Sequence, residues 1–129
     1  MSFGKVSAIL ESEQQRGRET EMSVELPNPI AAYFAAENRH DTEALAHFFA
    51  DDAVVRDEGR IFEGLVAIKE WKTETKKKYQ HTVKPLASVQ KDGNTIVTVR
   101  VAGNFPGSPV DLQFVFRLEG GKIASLEIH

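Results

Sequence analysis

A carboxylate at the end of a short strand is the group in this sequence best suited to acid–base chemistry. In the run AVVRD, Ala53, Val55 and Asp57 share one face, because strand side chains alternate between the two sides of a sheet. If Val55 is buried, Asp57 points the same way, and an apolar setting would raise its pKa and suit it to act as a base. The alternative is a plain turn at Asp57-Glu58-Gly59, with the carboxylate in water.

Tyr33 and His81 are two further side chains that could take part in proton transfer. Tyr33 lies in the alanine-rich run IAAYFAAENRH. A tyrosine there is usually a core residue whose hydroxyl bonds to backbone or water, and a hydroxyl that faces a ligand is the alternative. His81 begins a strand-like run. The sequence favours a surface position for it over a position at the mouth of a cavity.

Several familiar kinds of catalytic centre are missing from the sequence. The chain has no cysteine, which excludes thiolate metal sites, and its four histidines do not have the spacing of metal ligands on a helix. Phosphate-loop, dinucleotide-binding, zinc-protease and serine-hydrolase motifs are absent as well. We therefore expect neither a metal nor a cofactor. The basic run KTETKKKYQH is expected to form the solvated face and end of a helix, including Lys72, Lys76, Lys77 and Lys78.

Composition limits the classes of function. The chain has 129 residues, enough for one domain with one core, and 41% of them are hydrophobic. The net charge is −3, so nucleic-acid binding through a basic surface is not expected. No segment approaches the roughly 18 apolar residues of a membrane span, and residues 1–20 lack the apolar core of a secretion signal. We expect a cytoplasmic protein without membrane contact.

The pattern along the chain predicts an α+β fold. Helices are expected at 29–40, at 42–49 (ended by Asp51-Asp52) and at 65–79, with the hairpin AVVRD–EGR–IFEG before the third helix. Four strand-like runs with hairpin turns then fill residues 81–129. The predicted architecture is a curved antiparallel sheet wrapped over three N-terminal helices as a cone, whose mouth is a natural pocket. Residues 1–26 are expected to be an amphipathic leader and residues 27–129 the domain.

One segment resembles a known superfamily. The run YFAAENRHDTEALAHFFADDAVVRD, followed by FEG and AIKEW, is similar to nuclear transport factor 2-like domains of the SnoaL-like and ketosteroid isomerase-like branch. The resemblance covers Pro27 to His129 and is more specific for fold than for activity. It implies that Asp57 is the general base, Tyr33 donates to the substrate oxyanion, and Trp71 walls the pocket. Phe114 holds the place of the second donor, and losing one oxyanion donor typically removes about 2.7–4 kcal/mol of transition-state stabilisation.

The predicted ligand-binding wall combines this resemblance with the inner faces of the helices and strands. It consists of Trp71, Phe34, Phe62, Val97, Val101, Phe114, Phe116, Leu126 and His81.

Three hypotheses about function follow. The first is an enzyme that transfers a proton next to a carbonyl, as in isomerisation, cyclisation or dehydration of a small apolar molecule, with Asp57 as base and Tyr33 as donor. The second is a protein that binds such a molecule without chemistry. The third is an interaction module that forms a homodimer through the outer face of the sheet.

Overall fold

Three helices and six strands make up residues 24–129, the part of the chain that this computed structural model describes. The helices are α1 (Asn28–Arg39), α2 (Leu45–Phe48) and α3 (Gly64–Tyr79), and a 3-10 turn at Thr42–Ala44 precedes α2. The strands are β1 (Phe49–Asp57), β2 (Arg60–Glu63), β3 (Thr82–Lys91), β4 (Asn94–Ala102), β5 (Val110–Glu119) and β6 (Lys122–Ile128). The predicted α+β class is confirmed. Most of the predicted leader, residues 1–23, lies outside the described residues.

The second helix is shorter than the sequence indicated. The prediction that Asp51-Asp52 ends it is wrong, because α2 ends at Phe48 and β1 already begins at Phe49. Phe49 is fully buried and is paired with Ile123 of β6, which holds this residue in the sheet. Both aspartates therefore lie within β1, with their side chains exposed.

The six strands form one open, curved sheet in the order β2-β1-β6-β5-β4-β3. All neighbours are antiparallel except β1 and β6, which run parallel with Val55 opposite Leu126. An entirely antiparallel sheet was expected, and this pair corrects that expectation. The chain leaves β1 through β2, α3 and three further strands, so β6 returns beside β1 in the same direction.

Helices α1 and α3 pack on one face of the sheet, and both contribute buried residues to the core. The ring of Tyr33 is at the centre of an aromatic cluster, with ring centroids 5.2–6.3 Å from those of its neighbours. These neighbours are Phe34, Phe48, Phe49, Phe114 and Phe116. Aromatic pairs in such edge-on and tilted arrangements contribute about 0.5–1.5 kcal/mol each beyond simple burial. The cluster therefore fixes α1 against the concave face.

Among the helices in residues 24–129, none combines the length and apolar character needed to cross a membrane.

Candidate active site

A small cavity opens between α3, the end of α1 and the concave face of the sheet. Its volume is about 90 Å³. The apolar part of its wall consists of Trp71, Val101, Leu112, Phe114 and Ile128. The polar part consists of Glu37, Asp57, Glu58, Lys72, Thr75, Tyr79 and His81. Ligand pockets for drug-sized molecules usually enclose about 300–1,000 Å³. This cavity therefore has room for a small molecule or for one end of a larger one.

Asp57 reaches the cavity because the turn begins after it. Asp57 is the last residue of β1 and is paired with Arg60, so the two turn residues are Glu58 and Gly59. Both turn residues have positive φ, 53° and 74°, as in the two-residue turns that match the twist of a hairpin. The carboxylate therefore belongs to the strand and points to the same side as Val55, which is fully buried. The alternative of a turn residue in water does not describe its position.

Trp71 fixes the Asp57 carboxylate against the apolar wall. The indole Nε1–H donates a hydrogen bond to Asp57 Oδ2 at 3.0 Å. Desolvation by burial raises the pKa of Asp57 above its ordinary value, and the Trp71 hydrogen bond offsets part of that rise. A half-buried carboxylate with a raised pKa is what a general base near neutral pH requires.

A second carboxylate, Glu37, lies deeper and is paired. Lys72 Nζ donates to Glu37 Oε2 at 2.6 Å, and both side chains are almost completely buried. Burial alone would raise the pKa of Glu37, but the Lys72 ammonium, with help from His81 and Lys76, outweighs burial and lowers it well below the ordinary value. Glu37 is therefore a permanent anion and a poor candidate for a base.

Lys76 and His81 complete this buried polar cluster. Lys76 Nζ donates to the backbone carbonyl of His81 at 2.6 Å and lies 3.6 Å from Glu37 Oε1. His81 Nε2 is 3.4 Å from Glu37 Oε2, while His81 Nδ1 has no hydrogen-bond partner among the described residues. Desolvation lowers the pKa of Lys76 below its ordinary value. Only Glu37 and His81 of these three residues line the cavity.

Tyr33 is placed behind the cavity wall. Its side chain is fully buried, and its hydroxyl donates to Glu37 Oε2 at 3.1 Å. Burial, reinforced by the Glu37 carboxylate, raises the pKa of the Tyr33 hydroxyl well above its ordinary value. Tyr33 does not line the cavity. In this structure the hydroxyl serves Glu37, and donation from Tyr33 to a ligand stays a prediction.

The structure brings together about half of the predicted site. Asp57, Trp71, His81, Val101 and Phe114 line the cavity. The other predicted wall residues are buried core residues outside the lining, because the helices pack closely against the sheet there. They are Phe34, Phe62, Val97, Phe116 and Leu126. Phe62 still supports the site indirectly, since its ring packs against that of Trp71 with centroids 5.9 Å apart.

The buried charged cluster beside the cavity, called the charged wall below, was not predicted, although helical spacing gave a signal for it. It consists of Glu37, Lys72, Lys76 and His81. Lys72 and Lys76 were expected on the solvated face of α3, yet they are only 3% and 8% exposed. Each follows the buried Ile68 by one or two helical turns, so the three share one face of the helix. Glu37 likewise follows Tyr33 by one turn of α1. His81 was expected at the surface and is 5% exposed.

Comparisons with known proteins agree with this fold. The family model for SnoaL-like domains matches residues 30–126. A proposed polyketide cyclase from Sinorhizobium meliloti is 43% identical, with a TM-score of 0.78, over 81% of this chain and 95% of the other. The chain therefore belongs to the SnoaL-like family, within the nuclear transport factor 2-like fold. No curated protein matches it.

More distant solved structures share the fold alone. A protein from Catenulispora acidiphila with a ketosteroid isomerase-like fold, in complex with trimethylamine, is 21% identical with a TM-score of 0.72. The match covers 81% of this chain and 86% of that chain. SalBIII, an epoxide hydrolase/cyclase-like enzyme of pyran ring formation in the polyether salinomycin, is also 21% identical. Its TM-score is 0.67 over 78% of this chain and 86% of the other.

Proposed function

We propose that the protein binds a small carbonyl compound in this cavity and catalyses cofactor-free proton transfer next to the carbonyl, with Asp57 as the base. One observation carries the proposal: the Asp57 carboxylate is half-buried beside an apolar wall, has a raised pKa and is oriented by Trp71. The reaction class includes isomerisation, cyclisation and dehydration. The names of the relatives support a ring-forming reaction, since one is a proposed polyketide cyclase and another a cyclase-like enzyme.

The electron flow of such a step is simple. Asp57 takes a proton from the carbon next to the carbonyl, and the C–H electron pair forms the new C=C bond. The carbonyl π electrons move to the oxygen, which becomes an enolate. The proton then returns to another carbon in an isomerisation, or to the oxygen of a second carbonyl that the enolate carbon attacks in an aldol cyclisation. No external oxidant, reductant or cofactor enters this balance.

Exchange of α-protons tests the proposal directly. The protein is incubated in D₂O with small ketones such as butanone and cyclopentanone, and proton NMR follows the loss of the α-proton signals. General-base catalysis contributes about 10²–10⁴-fold. We therefore expect Asp57→Asn to reduce the rate of exchange by at least about a hundredfold. Asp52→Asn, on the exposed side of the same strand, serves as the control and should retain the rate.

A second candidate function is binding without chemistry. The hydroxyl of Tyr33 is engaged by Glu37, and the cavity volume of about 90 Å³ is small for a large substrate, which favours this alternative. It predicts that no ketone exchanges faster than in buffer and that Asp57→Asn leaves binding unchanged. Trp71 is the chain's single tryptophan, so its emission reports occupancy of the cavity in either case. Assembly into a homodimer through the outer sheet face stays a prediction.

A further inference from the structure

Lys72 is the cation that lines the cavity, and its ammonium is held in place on several sides. Nζ donates to Glu37 Oε2 at 2.6 Å and to the Tyr33 hydroxyl at 3.4 Å. It also lies 4.0 Å from the centroid of the Trp71 ring, within the range of a cation–π contact. The side chain is 4% exposed, so the charge is not solvated as a surface lysine would be. An ammonium fixed in this way is preorganised for a partner in the cavity.

The hydrogen bonds of Lys72 leave room for one more acceptor. An ammonium has three N–H donors. Within residues 24–129, two of them have acceptors, Glu37 and Tyr33, and the Trp71 ring offers only its π face to the third. The neighbouring Lys76 cannot play the same part, because its ammonium already serves the His81 carbonyl and does not line the cavity.

The charges around the cavity point to an anionic ligand group. The buried cluster holds one carboxylate, Glu37, against two ammonium groups, Lys72 and Lys76. Asp57, on the other side of Trp71, supplies the compensating negative charge. Glu58 also lines the cavity, but its side chain is exposed, so water screens its charge. Once Asp57 becomes neutral by accepting a proton, the buried charges therefore sum to an excess of positive charge. A negative charge on the ligand then restores the balance.

We propose that Lys72 binds the negatively charged oxygen of the ligand, so that the cavity takes small carboxylates and stabilises the enolate oxygen of a reacting carbonyl compound. The enolate part of this inference rests on the proposed function. Lys72 is then the group that performs the role the sequence assigned to Tyr33. Glu37 and Tyr33 are positioning residues that hold its ammonium at the wall, and the resting Asp57 carboxylate balances the buried charges between turnovers.

The test uses two ligands of nearly the same shape that differ in charge, propionate and propionamide. Asp57→Asn stands in for the neutral form of the base, and all titrations are made on the full chain at constant ionic strength. Trp71 emission measures the two dissociation constants. Hydrogen bonds to charged groups are worth roughly 1.5–3 kcal/mol. We therefore expect this variant to prefer propionate by about ten- to a hundredfold.

Removal of Lys72 should abolish that preference. Lys72→Met combined with Glu37→Gln, in the Asp57→Asn background, removes one positive and one negative charge. It leaves the net charge of the cluster unchanged and no buried carboxylate unpaired, and Lys76 keeps its hydrogen bond to the His81 carbonyl but loses Glu37 as a counter-ion. Lys77→Met removes an exposed lysine of the same helix and is the matched control, in which the preference should persist. Near-ultraviolet circular dichroism checks that all variants are folded.

The outcomes separate this inference from the proposed function. A preference that survives the Lys72→Met/Glu37→Gln change, or no binding of propionate by the Asp57→Asn protein, would overturn the inference. A preference that depends on Lys72 in a protein that exchanges no α-protons would support Lys72 as the anion site while the proposed function fails. Exchange that requires Asp57 but keeps its rate in Lys72→Met/Glu37→Gln would leave the proposed function standing and remove Lys72 from it.

Discussion

Two carboxylates on the wall of one cavity have been tuned in opposite directions. Glu37 is almost completely buried, yet its pKa is lowered, because Lys72, His81 and Lys76 surround it. Asp57 is only half-buried, yet its pKa is raised, because desolvation outweighs the opposing effects of the Trp71 hydrogen bond and of the Lys72 charge. Depth of burial therefore does not decide which carboxylate can work as a base. The presence of a counter-charge decides it.

The two carboxylates also have different roles in the site. The charge of Glu37 holds Lys72 in position, and the lowered pKa keeps this carboxylate ionised at neutral pH. Asp57 keeps a carboxylate that can change its protonation state in contact with the cavity. The predictions below test each side of this contrast, from the largest expected effect to the smallest.

Removing the counter-charge of Glu37 should have the largest effect on stability. In Lys72→Met, Glu37 stays charged and buried with only the weaker partners Lys76 and His81. Breaking a buried pair by removing one partner typically costs about 3–5 kcal/mol. We expect a loss of this size in the free energy of unfolding, measured by urea denaturation at pH 7.

A surface ion pair between α3 and the 3-10 turn at Thr42–Ala44 provides the control. Lys69→Met removes the exposed contact to Glu43, and exposed pairs contribute at most about 1 kcal/mol. The double variant Lys72→Met/Glu37→Gln should recover part of the loss, since no buried carboxylate is left unpaired but Lys76 loses its counter-ion. Because the folded pKa of Glu37 is lowered, its contribution is present above the ordinary glutamate pKa of about 4.3 and declines below it. The double variant should therefore lose less stability on acidification than the wild type, and an equal loss would contradict the assignment.

A substitution at Gly103 should disturb the part of the site around His81 and Glu37 without affecting Asp57. A Cβ at this position would lie 2.7 Å from the Tyr79 carbonyl oxygen and 2.9 Å from His81 Cα. Overpacking of this kind costs about 1–3 kcal/mol. We expect Gly103→Ala to lower the free energy of unfolding by that amount while the pH titration of Asp57 keeps its midpoint. A shift of that midpoint would show that the two sides are coupled.

Loss of the Trp71 N–H should raise the pKa of Asp57 further. Trp71→Phe keeps an aromatic ring but removes the hydrogen bond that offsets part of the burial effect. We expect the midpoint of the Asp57 titration to rise, because a hydrogen bond that favours the ionised carboxylate is lost. Carboxyl NMR, assigned with Asp57→Asn, measures it. Phe62→Leu alters the packing of the Trp71 ring without removing the donor and should leave the midpoint near the wild-type value.

The smallest effect concerns the cost of keeping Asp57 charged. Since its folded pKa is raised, the ionised carboxylate opposes folding above that pKa, and the penalty fades as the pH falls toward the unfolded value of about 3.9. Asp57→Asn should therefore stabilise the protein at pH 7 by roughly 0.5 kcal/mol, as neutralised functional groups often do. The gain should vanish near pH 4, and thermal unfolding at both pH values measures it. A gain that persists at pH 4 would indicate a cause other than charge.

Sequence patterns identified the fold because it rests on periodicity and turns. Alternation in β4 and β5, hairpin turns between the late strands and helical spacing in α1 and α3 are local properties that the chain records directly. The parallel pairing of β1 with β6 is not local, and the residue pattern of neither strand indicates its partner. The alternation in AVVRD also predicted correctly that Asp57 and Val55 share a face.

The charged wall could not be found in the same way because composition argued against it. Lysine and glutamate are rarely buried unless they are paired, so each residue taken alone points to the surface. Glu37 of α1 and the two lysines of α3, Lys72 and Lys76, compensate one another's charges only when they are brought together in the folded chain. The partner of the Tyr33 hydroxyl was missed for the same reason: Glu37 was invisible until α1 and α3 were brought into contact.

The position of β6 determines when the site can exist. Val55 and its partner Leu126 are about 70 residues apart in the chain, and β6 lies between β1 and β5 in the sheet. Pairings of such long range are slow, and folds dominated by them typically form in milliseconds to seconds. During synthesis, the β6-facing edge of β1, the strand that ends at Asp57, stays unpaired until nearly all of the described domain has left the ribosome. Acquisition of the cavity is therefore among the last steps in the folding of this domain.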